Sequence, residues 1–238
     1  VALSKKAFKV ALLLATVIAL SQLLSGHSSA DGVAVNQPAK LAAMEGHYKA
    51  SAPADLYVLG WVDNEVQEVT GIKVPGGLSF LVHQDFDAPI TGLNAFPKED
   101  RPGQVNAVFQ FYHIMIAIGM FLIALTLYAS FLWWTGKLFE KRWLLKIFAF
   151  AVVLPQIANQ AGWFAAEMGR QPWIVYGHLR TDQGFSQAVS ANQILFSLIL
   201  FFVVYTFLFL LFIYFINKKI KHGPYKEAEN PNQVIQHV

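Results

Sequence analysis

The chain has 238 residues, 55% of them hydrophobic and only 14% charged, where an ordinary soluble domain carries about 25% charge. Too few charges remain to coat a soluble globule of this size, so much of the surface faces lipid. A net charge of +3 provides no concentrated basic face and argues against a nucleic-acid partner, and the absence of cysteine excludes disulfides, Cys zinc sites, iron–sulfur clusters and thiolate-ligated haem.

The apolar residues fall into four uncharged blocks, each near or above the roughly 20 residues a helix needs to cross a bilayer. They are too long and too uniform for barrel strands, which alternate in polarity over about ten residues. The expected fold is an all-α membrane protein with four transmembrane helices. Helix one covers residues 1–25, behind Lys5, Lys6 and Lys9. An external loop of residues 26–106 follows, rich in Gly, Pro, Asp and Asn, with 10 acidic and 5 basic residues. Connections this long are usually functional or disordered. Within the loop, Pro38 to Tyr48 reads as helical and Gly71 to Gly77 as turns. Helix two spans 107–134, a short cytoplasmic loop 135–142, helix three 143–169, an external loop 170–190, helix four 191–217 and a cytoplasmic tail 218–238. Eleven Lys and Arg flank the helices on one side, among them Lys137, Lys141, Arg142, Lys146, Lys218, Lys219, Lys221 and Lys226, against seven on the other. The positive-inside rule therefore places both termini in the cytoplasm. Residues 1–30 support a second reading: Lys5-Lys6, an apolar core and Ser28-Ser29-Ala30 before Asp31 also fit a cleaved signal peptide, which would leave three helices.

Polar side chains inside these blocks are costly, about 2.5 kcal/mol or more for a charge at a helix centre, and mark candidate sites. His113 and Met115 lie in helix two. Met115 sits about 12 Å along it, and both residue types are known axial haem ligands. Two residues apart, they face different sides of the helix and cannot serve one iron. On the residues alone, the plainer reading is ordinary packing for Met115 and an interfacial hydrogen bond for His113. At the outer end of helix three, Trp163, Glu167 and Arg170 are spaced i, i+4, i+7 and share a face. They read either as an interfacial aromatic and ion-pair anchor or as the wall of a cofactor cavity. Pro155, Asn159 and Gln160 just before them make that face unusually polar.

The stretch Gly162-Trp163, Glu167 and Gly169-Arg170-Gln171-Pro172-Trp173 resembles the GWxxxExGRQPW signature of subunit I of cytochrome bd, the quinol-oxidising oxygen reductase. Lys40-Leu41-Ala42-Ala43-Met44-Glu45 resembles the KLAAxE opening of that family's external quinol-binding loop, and Met115 stands where the family keeps a methionine haem ligand. Lys218 to Pro224 fits the end of its last helix. The resemblance runs from about Lys5 to Pro224 and corresponds to the carboxy-terminal half of a normal subunit I.

The resemblance implies three cofactors: a low-spin haem b with Met115 on its iron, a high-spin haem b and a haem d, one of the latter pair ligated by Glu167. Trp163 and Arg170 would stand beside that haem, Arg170 near its propionates. Lys40 and Glu45 would serve quinol oxidation, Glu45 as proton acceptor. Where the family has Arg two residues before the methionine, this chain has His113, which would give a propionate a titratable partner. The family's His ligands and the acidic pair of its proton path belong to the preceding half. His27, His47, His83, His178, His222 and His237 read as loop or tail residues and do not replace them. Together with the initial Val, this implies an amino-terminal half supplied by a separate chain or lost from a fragment, a subunit II, and room for small accessory subunits. It also favours a retained first helix. The implied function is quinol oxidation at the outer face coupled to reduction of oxygen to water, generating a proton-motive force. The alternative is a haem-binding, quinol-oxidising subunit of a bd-like complex that does not reduce oxygen.

Overall fold

The structure, a computed structural model, describes residues 2–186 and 188–222. Gly223, Pro224, Lys226, His237 and the rest of the tail lie outside the described residues. The chain forms two units, residues 1–184 and 185–238.

The first unit opens with α1 (Ala2–Asn36), followed by the short α2 (Pro38–Met44). Helix one thus continues eleven residues past the expected end at residue 25. Nothing stops it there: Ser29 and Asn36 return their side chains to carbonyls four residues back. The end comes at Pro38, which disfavours helical backbone at Gln37; Gln37 has φ −142° and ψ 60°. His27 consequently lies inside α1, 3.6 Å from Asp31, and not in a loop.

The long connection is structured. Strands β1 (Leu56–Asp63) and β2 (Glu68–Val74) form an antiparallel hairpin, and α3 (Gly77–His83) follows. Gly71 to Val74 is therefore strand, and the turn is confined to Pro75 and Gly76. Gly71 lies opposite Gly60, and a Cβ on it would collide with the Leu59 carbonyl. The glycine marks close strand approach, not a bend.

Helix α4 (Val105–Trp134) ends in a Schellman motif. Gly136 has φ +80°, its N–H reaches the Trp133 carbonyl and that of Lys137 the Leu132 carbonyl, a geometry that favours glycine. The expected third helix is two pieces, α5 (Arg142–Ala151) and α6 (Leu154–Arg170). The cause is Pro155, which lacks an N–H and whose ring would strike the carbonyl of Ala151. A small hairpin, β3 (Trp173–Val175) with β4 (Leu179–Arg180), closes the unit. The second unit contains α7 (Ala191–His222), which has no buried residue. Among the described residues, α1, the segment from Lys98 through α4, α5 with α6, and α7 are long and apolar enough to cross a membrane.

Among the described residues three buried clusters hold the first unit; one, of Ala54, Leu78 and Ile90, lies within the long connection, and the other two join the helices. One joins Leu12 of α1, Leu125, Ala129 and Leu132 of α4, and Leu144 and Ala151 of α5. Thr16 and Ser130 hydrogen-bond across it at 3.0 Å, which sets the antiparallel register of α1 against α4. The other packs Ala39, Ala42, Ala43 and Met44 of α2 against Val105, Val108 and Phe109 of α4, Val62 of the hairpin and Ala165 of α6. The alanines of α2 permit this close approach, and the loop is thereby seated on the ends of the two helices that carry the candidate ligands.

Candidate functional site

Helix α2 ends at a second Schellman motif. The Gly46 N–H meets the Ala43 carbonyl and the His47 N–H the Ala42 carbonyl, with Gly46 at φ +63°. A Cβ there would approach Val69 to 2.7 Å and Val62 to 3.0 Å, so glycine suits the position on two counts. This fixes Glu45 as the C-cap residue, and it is buried. The Tyr112 hydroxyl donates to its carboxylate, but Oε2 has no partner. Burial raises the Glu45 pKa from 4.5 to about 7, against the opposing Tyr112 hydrogen bond. A carboxyl group poised there can take up and release a proton near neutrality.

Lys40 lies elsewhere. Its stem packs against Gly169 of α6, where an added Cβ would stand 3.2 Å from Cγ of Lys40, and its ammonium feels the charges of Glu167 and Arg170. Burial lowers its pKa; Glu167 opposes and Arg170 reinforces that shift. The two loop residues linked by the KLAAxE resemblance thus serve different neighbourhoods, Glu45 beside α4 and Lys40 beside the end of α6.

That end of α6 is a cationic cluster. Arg170 forms an ion pair with Glu167 and reaches the Ile174 carbonyl at 3.4 Å. Its Nε and the indole Nε1 of Trp173 are buried without partners. Arg180 lies 4.8 Å over the Trp173 ring and pairs with Asp100 just before α4, so the β3–β4 hairpin is latched over this end. Trp163 is exposed, 56%, and stacks obliquely on Phe164.

Met115 turns toward α6. A Cβ on Gly162 would come within 2.6 Å of its sulfur. Gly162→Ala is therefore expected to push the Met115 thioether aside. The readout is the spectrum of any haem that Met115 ligates, which should broaden or shift without loss of folded protein.

His113 meets backbone carbonyls, in keeping with the hydrogen-bonding reading of this residue. Its Nδ1 is 2.8 Å from the Phe109 carbonyl and its Nε2 is 2.7 Å from the Tyr57 carbonyl of β1, with its ring stacked on Phe109 at 3.8 Å. Nδ1 faces a carbonyl of its own helix and Nε2 one of the hairpin; in the tautomer with its N–H on Nε2 the ring ties α4 to β1. Two residues missed in the sequence share this role: Asn106 accepts from the Val62 N–H at 3.1 Å, and Gln110 donates to the Gly60 carbonyl at 2.8 Å. Asn106, Gln110 and His113 are spaced i, i+4, i+7 in an otherwise apolar helix, a pattern that was available to find them.

A cleft of about 250 Å³ opens where the ends of α1, α2 and α3 meet, lined by Asp31, Val35, Leu41, Val82, His83 and Ile90 among others. Leu41 is one turn before Glu45. Among the described residues no cluster of three His, Asp or Glu side chains could hold a bare metal ion. A haem needs only an axial donor with an anchoring environment, and the residues fit one. Met115 presents a thioether between α4 and α6, Glu167 a half-buried carboxylate, and the unpartnered Arg170 Nε and Trp173 Nε1 are donors suited to propionates.

The family described as "Cytochrome bd terminal oxidase subunit I" matches residues 1–224. The "Cytochrome bd ubiquinol oxidase subunit 1" of Bacillus subtilis (strain 168) is 34% identical over 238 residues, covering 96% of this chain and 50% of that protein. The "Cytochrome bd-II ubiquinol oxidase subunit 1" of Escherichia coli (strain K12) is 28% identical over 295 residues, covering 96% and 57%. Among solved structures, a chain of the bd oxidase from Geobacillus thermodenitrificans superposes with a TM-score of 0.76 at 30% identity, covering 92% of this chain and 50% of that one. The chain spans about half the length of the relatives it matches.

Proposed function

Because the chain belongs to the cytochrome bd terminal oxidase subunit I family, we propose that it is part of a multi-pass membrane complex that oxidises quinol and reduces oxygen to water. The observation that carries this is the seating of α2 between α4 and α6. It joins the residues suited to quinol chemistry, Glu45 and Lys40, to the helices that bear Met115 and Glu167. The names of the relatives are oxidases, which favours oxygen reduction over a bd-like complex lacking it.

In this reading the loop and the β3–β4 hairpin lie outside, and both ends of the chain face the cytoplasm. The quinol ring occupies the cleft beside Leu41, and Glu45 takes a hydroxyl proton, its pKa near 7 allowing both uptake and release. Lys40 orients the loop through Glu167 and Arg170. Met115 holds the low-spin haem b, and Glu167 a high-spin haem b or haem d, with Arg170 and Trp173 donating to propionates. When bound, these haems supply one-electron transfer between quinol and oxygen. The remaining length of subunit I, a subunit II and small accessory subunits complete the complex.

The test is oxygen uptake by the complete haem-loaded complex with a soluble quinol donor. Quinol-dependent uptake is expected; none from an intact complex would refute oxygen reduction.

A further inference from the structure

The ladder of Asn106, Gln110 and His113 fixes how the hairpin runs along α4. Val62 meets the start of the helix, Gly60 the next turn and Tyr57 the turn beyond. The Leu56–Val74 end of the hairpin therefore points toward the membrane, and the Asp63–Glu68 end points away from it.

The depth of that end follows from two counts. Helix α4 has 30 residues, but the hydrocarbon needs only about 20. Counting back from Trp134, which precedes Lys137, the apolar layer ends near Met115. Counting the same length forward in α1 from Val10, which follows Lys9, ends near Ser29. The Thr16–Ser130 hydrogen bond sets these two positions within about one helical turn of the same level. Tyr57, bonded to His113, thus lies at the edge of the hydrocarbon.

The surface found there is apolar. Gly77 packs on Leu56 and Val74, and Gly76 on Phe86, so α3 and Phe86 continue the membrane-ward end of the hairpin. Ile72 is 66% exposed, Phe86 54% and Phe80 47%, and the two Phe rings stack on each other at 4.5 Å. Lys73 and Asp55 beside them are paired. Asp85 and Asp87 on either side of Phe86 are exposed; at the far end Asp63 and Glu65 stand beside Glu68, which pairs with Lys49, and Trp61 and Val66 are exposed there too. An apolar edge at the hydrocarbon boundary, bordered by carboxylates and by the Lys73–Asp55 pair, has the mixed character of an element lying in a membrane interface.

We propose that the membrane-ward edge of the hairpin, formed by Ile72, Phe80 and Phe86, is an interfacial anchor that beds the long loop into the bilayer surface. The occupant is lipid at the boundary between headgroups and acyl chains. This rests on α1 and α4 crossing the bilayer, and not on the redox reading. The chain contains no cysteine, so single replacements can be labelled, with label taken up by the unsubstituted complex as background. Phe86→Cys, Ile72→Cys and Glu65→Cys, with Phe209→Cys in α7 as the lipid reference, are introduced into the complete complex, spin-labelled and placed in lipid nanodiscs. Collision of each label with oxygen, which concentrates in lipid, is compared with collision with a water-soluble nickel chelate. Oxygen should dominate at residues 72, 86 and 209, and nickel at 65. Nickel dominance at 72 and 86 would overturn the anchor, leaving the edge in water. Poor access to both reagents there would also overturn it, assigning the edge to a protein partner. Loss of oxygen dominance at 209 as well would place the failure in the membrane reading itself.

Discussion

Met115→Leu is expected to remove the low-spin haem b signal from the optical spectrum while the high-spin signals remain. Leu has nearly the volume of Met, and such exchanges usually cost under about 1.5 kcal/mol, so the helix pair should persist. What disappears is the thioether sulfur, held between α4 and α6 with its flank against Gly162. Changes to groups that merely support a metal ligand cost about 10–100-fold in affinity or activity. Loss of the ligand itself should lower quinol-dependent oxygen uptake by at least about 100-fold. An unchanged low-spin spectrum would remove Met115 from the iron. The milder Gly162→Ala separates ligand position from ligand identity, since the sulfur is retained but displaced.

Glu45→Gln is expected to cut quinol turnover by about 10²–10⁴-fold, the usual worth of a positioned general base. The pH profile tests the assignment further. With its pKa near 7, Glu45 is mostly protonated below neutrality, so wild-type turnover should rise as pH increases through about 7 and then level off. The Gln variant should show no such step. Stability moves the opposite way. Folding raises this pKa from 4.5 to about 7, so the native state holds its proton more tightly than the unfolded chain. Stability is then lost as pH rises between those values, by about 3 kcal/mol in all. Above neutrality the Gln variant should unfold at higher temperature than wild type, and the difference should vanish near pH 4. Equal melting behaviour across this range would show that Glu45 is not a buried titrating group.

The spanning helices were legible because uncharged runs of 20 to 30 residues have few alternatives in water or lipid. Their ends were less legible. The 26–36 extension of α1 is polar enough to resemble a loop, and only the wait for Pro38 explains its length. Pro155 was noted as part of a polar face, but its effect on the Ala151 carbonyl splits the expected third helix. The β1–β2 hairpin left little trace, since its pairing depends on Gly60 facing Gly71 and on side chains of α4 far along the chain. For the candidate site, motif spacing brought Glu167 and Arg170 together correctly as partners. It did not show that Lys40 and Glu45, five residues apart, face α6 and α4 separately. Nor did it show that the His113 ring meets a carbonyl of the β1 strand. Those outcomes depend on which neighbours a short helix meets, and a local pattern does not contain them.

The seating of α2 also sets an order of assembly. Seven residues are too few to hold a helix in isolation, and Ala39, Ala42 and Ala43 find their cover only on α4 and α6. During synthesis α2 leaves the ribosome before either of those helices exists. The packing of α2 must therefore wait until both α4 and α6 have been made. This contact is completed late, although α2 is among the first parts of the unit to be made.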